Sequence, residues 1–190
     1  TNVPTDLGPV SKIFTSMNAT CALQRDGVVR CWGNELPPGE VESQFTDVID
    51  MGIGYGEWCV IRSDHSLSCY GYSGAISSVP SDLGSVKSVT LGDQNACAIL
   101  MDDTARCWGS NSWGKNEVPA LDSGVAKIIA GREESSCLLE TGGDVSCWGY
   151  NGDGRSEAAT SLSTKPGGPP ASPVILSARN TPRGVRVTWL

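Results

Sequence analysis

Long apolar runs, clustered basic residues and histidine are what this sequence has least of. No stretch approaches the ~18 consecutive apolar residues of a membrane-crossing helix, so membrane insertion of that kind is excluded. The 14 Lys and Arg are outnumbered by 21 Asp and Glu, for a net charge of −7. None of them clusters to follow a phosphate backbone, and nucleic acid is not an expected partner. Charged residues supply only 18% of the chain and aromatics 6%, whereas Gly (23) and Pro (11) are plentiful. That balance favours many short strands and turns over long helices. The chain opens at Thr1 with no charged-then-apolar leader, and a secretory leader is expected to have been removed.

Cysteine, by contrast, recurs on a period. Cys21, Cys59, Cys97 and Cys137 advance in steps of 38, 38 and 40, and each is followed ten residues on by Cys31, Cys69, Cys107 or Cys147. The neighbours repeat too. The second cysteine opens Cys31-Trp32-Gly33, Cys69-Tyr70-Gly71, Cys107-Trp108-Gly109 and Cys147-Trp148-Gly149. The first is followed by Ala22-Leu23, Val60-Ile61, Ala98-Ile99 or Leu138-Leu139. Upstream stand Val10-x-x-Ile13, Val48-x-x-Met51, Val86-x-x-Val89 and Val125-x-x-Ile128. A Val-Pro step precedes three units, at Val3-Pro4, Val79-Pro80 and Val118-Pro119, and is missing from the second.

Two short apolar segments around a turn read as a β-hairpin. Facing the cysteines of each unit against one another centres the turns on Asp26, Asp64, Asp102 and Gly142 and leaves three-residue loops. Such a loop is a type I turn followed by one left-handed residue. The third positions are Gly27, His65, Asp103 and Gly143. Glycine has no steric penalty there, and Asp and His are among the few other residues enriched in that region. Opposed strand residues stand within disulfide reach, about 3.5–4.5 Å between Cβ atoms. The expected bonds are therefore Cys21–Cys31, Cys59–Cys69, Cys97–Cys107 and Cys137–Cys147. Each closes a loop worth about 2.5–3 kcal/mol by chain entropy. Zinc is the rival, but its sites use closer cysteine spacing, and one His cannot complete four of them. Disulfides imply an oxidising, extracellular compartment.

Each middle strand carries two successive apolar residues, the pattern of a strand buried on both faces. Small two-faced sheets repeated every ~40 residues describe the blades of a β-propeller. Trp32, Tyr70, Trp108 and Trp148 are expected in the core, pointing away from the cysteine face into the next blade.

The strings TCALQRDGVVRCWGNELPPGE, ACAILMDDTARCWGSNSWGKNEVP and SCLLETGGDVSCWGYNGDG resemble the regulator-of-chromosome-condensation repeat in its cysteine-bearing, extracellular form. The second unit, WCVIRSDHSLSCYGYSG, is the most degenerate. The resemblance covers about Val3 to Glu157, in units near 2–40, 41–78, 79–117 and 118–157. The family's loop after Trp-Gly reads N-x-x-G-Q, approached here by Asn111-Ser112-Trp113-Gly114-Lys115 and Asn151-Gly152-Asp153-Gly154-Arg155. Family members include a nuclear exchange factor, a plant photoreceptor, a secreted enzyme inhibitor and crinkly-type receptor ectodomains. The nuclear role conflicts with four disulfides, and the resemblance is nearest to crinkly-type and secreted microbial forms. Fold does not imply function, and no functional residue of a family member finds a matching position here.

The resemblance implies closure with about seven blades, within the general range of four to eight. Four units of that curvature make an open or partial propeller with two raw end faces. A longer chain, tight closure or neighbouring molecules could each cover them. After the repeats, 158–173 is rich in Pro, Gly and Ser and reads as an extended linker that also suits O-glycosylation. Residues 174–190 alternate like two strands and are similar to the opening of a fibronectin type III or immunoglobulin-like domain, with Trp189 at the core-Trp position.

No catalytic set emerges. His65 sits at a hairpin tip, and Asp102-Asp103 and Glu133-Glu134 read as solvated charges. Asn151-x-Asp153-Gly154 lacks the later ligands of a calcium loop, and no glycine-rich phosphate loop is present. Asn18-Ala19-Thr20 is an N-glycosylation acceptor; Asn95-Ala96-Cys97, the rarer form, is discounted because Cys97 is bonded. The expected protein is all-β, extracellular and non-enzymatic, without a cofactor. It is a structural or interaction protein that binds protein partners or its own copies, with assembly into a surface fibre or sheath. The alternative is a ligand-binding ectodomain of a crinkly-like receptor or a secreted inhibitor.

Overall fold

Every repeat folds as a three-stranded antiparallel blade in the computed structural model. It describes residues 3–34, 36, 45–72, 74–131, 135–152, 154 and 156, and the backbone of 175–181 and 184–189. The blades are β1 (Val10–Thr15), β2 (Ala19–Gln24) and β3 (Val29–Gly33); β4 (Val48–Ile53), β5 (Glu57–Arg62) and β6 (Leu67–Gly71); β7 (Val86–Leu91), β8 (Asn95–Leu100) and β9 (Ala105–Gly109); β10 (Val125–Ala130), β11 (Ser135–Glu140) and β12 (Val145–Gly149). Within each blade the strands run inner, middle, outer. Among the described residues, short helical turns occur only between blades, at Gly74–Ser77 and Ser112–Gly114.

The turns set the register. Gly27, His65, Asp103 and Gly143 all have positive φ, at 83°, 64°, 63° and 94°. Their N–H groups close the type I turns on the carbonyls of Gln24, Arg62, Leu100 and Glu140. Asp26, Asp64 and Asp102 brace three of these turns by accepting from the N–H two residues on, at 3.1, 2.9 and 3.0 Å; Asp102 also accepts from the Thr104 hydroxyl at 2.6 Å. With the turns fixed, each cysteine lies directly opposite its mate, and the structure joins Cys21–Cys31, Cys59–Cys69, Cys97–Cys107 and Cys137–Cys147.

A bulge explains the Val-x-x-Ile pattern. Spacing of three would put the two residues on opposite faces of a regular strand. The register slips at the same place in all four inner strands, between Val10/Lys12, Val48/Asp50, Val86/Ser88 and Val125/Lys127. The extra residue returns both apolar side chains to one face. In blades two to four that face packs against the blade before it.

Three buried clusters lie between successive blades. Cys21, Leu23 and Val29 meet Val48, Met51 and Val60; Cys59 and Ile61 meet Val86, Val89, Ala98 and Trp108; Cys97 and Ile99 meet Val125, Ile128, Leu138 and Trp148. Polar contacts repeat at the same junctions. The left-handed turn residue accepts from the first N–H of the next inner strand: Gly27 from Val48 (3.4 Å), His65 from Val86 (2.9 Å) and Asp103 from Val125 (2.7 Å). Trp108 Nε1 donates to the Ile76 carbonyl and Trp148 Nε1 to that of Lys115, both at 2.9 Å. The tryptophans thus pack into the preceding blade. The next blade, expected from the sequence, meets the cysteine face instead.

Further along the chain, β13 (Ile175–Thr181) and β14 (Gly184–Trp189) form a hairpin whose β14 pairs antiparallel with the outer strand β12, Val145 opposite Val187. The fourth sheet therefore has five strands. Residues 158–173, expected from the sequence to be a linker, Glu133, Glu134, Asp153 and the side chain of Trp189 lie outside what is described.

Trp148→Phe leaves the buried Lys115 carbonyl only the longer bond from the Ser136 hydroxyl, at 3.4 Å, and should lower stability by about 1–3 kcal/mol in denaturant unfolding. Trp113→Phe, at an exposed position, should stay within about 0.5 kcal/mol. Hydrogen bonds from the Ser66 and Thr104 side chains and N–H groups hold the Asp64 and Asp102 carboxyls below their ordinary 3.8. A depressed folded-state value means that these bonds contribute fully above 3.8 and are lost as pH falls through the lower value. An NMR titration should find both carboxyls ionising below 3.8, and Thr104→Val should move Asp102 upward.

Candidate interaction surface

The inner strands β1, β4, β7 and β10 line one groove of about 750 Å³ along the propeller axis. Polar and apolar groups share it, including Thr15, Asp50, Ser88 and Ile129. Lys12 reaches across two blades beside it, its Nζ donating to Asp50 Oδ1 at 2.8 Å and to the Ile49 carbonyl at 3.1 Å.

At one end of this groove the loops between inner and middle strands form a rim. They are short because the N–H at the loop's start bonds back across it: Ser16 to Ala19, Gly54 to Glu57, and Gly92 to Asn95, at 2.8–2.9 Å. Their tips present Met17 and Tyr55, both exposed, around a hollow of about 330 Å³ that also touches Leu91 and Asp93. Asn18 is half-buried in the first of these loops, its carbonyl accepting from the Asn34 N–H at 2.8 Å.

A second hollow, about 490 Å³, lies between the loop after β9 and the end of β12, lined by Trp113, Glu117, Pro119 and Trp148. Asn111 shapes that loop by accepting from the Asn116 N–H at 2.9 Å. Asn151 does the same for Ser156 in the following blade, at 3.1 Å, which is the physical reason for asparagine at the head of both loops. Trp113 is exposed, has φ 62° and packs against Tyr150 with ring centroids 5.1 Å apart. Lys115, where the family has Gln, is buried, its Nζ donating to the Asp93 carbonyl at 3.2 Å.

Of the residues weighed as catalytic, His65 and Asp103 have structural tasks. The His65 ring nitrogen Nδ1 lies 3.1 Å from the Val86 carbonyl, tying a hairpin tip to the next blade. Asp103 pairs with Lys87 at 2.7 Å. Among the described residues no group of three His, Cys, Asp or Glu could hold a metal ion. Sequence reading missed Gln24 and Glu140, which are buried at equivalent ends of β2 and β11. Gln24 Oε1 accepts from the Gly8 N–H; Glu140 Oε2 accepts from the N–H groups of Asp122 and Ser123 at 3.0 and 2.8 Å. Both pin the approach to an inner strand, and their shared place in the repeat was the available signal.

The regulator of chromosome condensation (RCC1) repeat matches residues 86–115, from β7 through the Trp113 loop. No curated protein matches the sequence. Among solved structures, the crinkly ectodomain of the Arabidopsis thaliana receptor kinase ACR4 is 27% identical with a TM-score of 0.57, over 74% of this chain and 50% of that one. The ectodomain of the Physcomitrella patens receptor kinase CR4 is 23% identical with a TM-score of 0.61, over 75% and 41%. Prp20p from Saccharomyces cerevisiae shares the fold at 14% identity and a TM-score of 0.63, over 78% and 47%. This chain spans about half the length of these relatives or less. Residues 86–115 thus match the RCC1 repeat, and the blades around them share the all-β, propeller-type fold of the crinkly receptor ectodomains.

Proposed function

We propose that this chain is an extracellular, non-enzymatic interaction domain whose stapled blades hold a rigid surface against protein partners, its own copies among them. One observation carries the reading: a disulfide occupies the same register position in all four blades. A fold that repeats such bonds belongs in an oxidising compartment. The likeness to the ACR4 ectodomain, itself part of a receptor kinase, supports the same compartment. In this reading 1–157 is the repeat domain, 158–173 a spacer and 174–190 the opening strands of a fibronectin- or immunoglobulin-like domain. Asn18 carries an N-glycan at the rim when the chain is made in a eukaryotic secretory pathway. Assembly into a surface fibre or sheath is the finer form of the proposal.

A second reading, a ligand-binding receptor ectodomain, is favoured by that same likeness, with Met17 and Tyr55 at the contact rim. A secreted inhibitor would use the same rim.

Alkylation followed by intact mass measurement tests the compartment. Unreduced protein should take up no label, and reduction should open eight sites. Labelling before reduction contradicts the reading. Deglycosylation should remove mass from the wild type but not from Asn18→Gln.

A further inference from the structure

We infer that the rim carrying Trp113 is the contact face for a partner segment that presents arginine, its guanidinium lying over the Trp113 ring beside the Glu117 carboxylate. This rests on the extracellular interaction reading and names the face and the partner chemistry that would serve it. In each blade the start of the middle strand pairs with the end of the outer one, Ala19 with Gly33, Glu57 with Gly71, and Asn95 with Gly109. The loops at those positions therefore share one end of the propeller, and the hairpin turns lie at the other. The aromatics exposed among the described residues, Tyr55, Tyr72 and Trp113, all stand at the first end. The hairpin end presents Asp26, Asp64 and Asp102 instead. Tyr55 and Tyr72 belong to a blade with neighbours on both sides, and Trp113 to the junction of the third and fourth blades. Their exposure is that of the propeller's end and not of an uncovered blade face.

Trp113 stands out among them. It is 65% exposed, so burial does not account for it, and its φ of 62° is a conformation that bulky residues rarely adopt. The other described non-glycine residues with positive φ are polar: Asp47, His65, Gln94 and Asp103. Asn111 enforces the shape. Its carbonyl accepts from the Gly114 N–H at 3.1 Å and its side chain from the Asn116 N–H at 2.9 Å. A ring held outward against backbone preference, beside a hollow of about 490 Å³, serves a contact rather than the core.

Charge selects the occupant. Glu117 lines that hollow and is exposed, its Oε1 accepting from Asn111 Nδ2 at 3.4 Å, and Asp93 is exposed at the same end. Lys115, the cation described there, is buried with its Nζ turned to the Asp93 carbonyl. In the sequence the neighbouring stretches 132–134 and 153–157 add four acids against two Arg. An aromatic face beside carboxylates, on a chain of net charge −7, attracts a cation. A planar guanidinium can both stack on the indole and pair with the carboxylate, which an ammonium does less well.

A synthetic peptide of alternating Arg and Gly, titrated calorimetrically into the full chain, tests this. It should bind, and its counterpart with Glu in place of Arg should not. Trp113→Gly suits the left-handed backbone, and Glu117→Gln keeps the acceptor for Asn111; circular dichroism checks that both stay folded. Each should weaken binding about 3–30-fold, and Trp113→Phe should weaken it less. Asp26→Asn, which removes a charge at the hairpin end, should leave binding unchanged. Equal weakening by Asp26→Asn would reveal diffuse attraction to an acidic protein and overturns the inference. So does binding indifferent to Trp113→Gly or to Glu117→Gln, or no binding at millimolar peptide. Binding of a neutral glucan oligosaccharide in place of the peptide also overturns it and makes the rim a sugar platform. Any of these failures with all sulfurs paired leaves the extracellular reading standing; free thiols remove that reading.

Discussion

A sheet with two apolar faces cannot satisfy both by itself, and that constraint organises this molecule. β2, β5 and β8 are buried on both sides because each blade lies against another. The cysteines lie on one face, the Val-x-x-Ile residues on the other, and each junction joins one kind of face to the other. Disulfides and turns make each hairpin; the neighbouring blade makes it a core. Stability is then approximately a sum over blades and their junctions, as in other repeat arrays.

The elements readable in the sequence are those decided inside one repeat. The cysteine spacing and the left-handed third turn position both depend on local geometry, so residue type and spacing suffice to place His65 and Asp103 in the turns. Contacts between repeats are harder to read. The tryptophans are expected to face the next blade, yet Trp108 and Trp148 donate backwards, because a sheet face does not announce which neighbour covers it. The bulge is legible only as an odd spacing, Val followed three residues later by Ile, Met or Val, which strand periodicity does not explain. Lys115 reads as a departure from the family's glutamine. In the structure its charge reaches the Asp93 carbonyl while its own carbonyl holds Trp148.

The candidate surfaces follow from the same architecture. Rigid strands carry short loops to the rim, so Met17 and Tyr55 are displayed by a scaffold whose own polar groups are largely committed to holding blades together. The residues whose chemistry could serve catalysis, His65 and the turn aspartates, are among those committed groups.

The central claim is that each blade is held by its neighbours rather than by its own hydrogen bonds alone. Native-state amide exchange, measured on single chains at high dilution, tests it strand by strand. The account predicts slow exchange in β2, β5 and β8, buried on both sides, and faster exchange in β11, where Leu139 is exposed. Equal protection across the four middle strands, or greatest protection in β11, would contradict it.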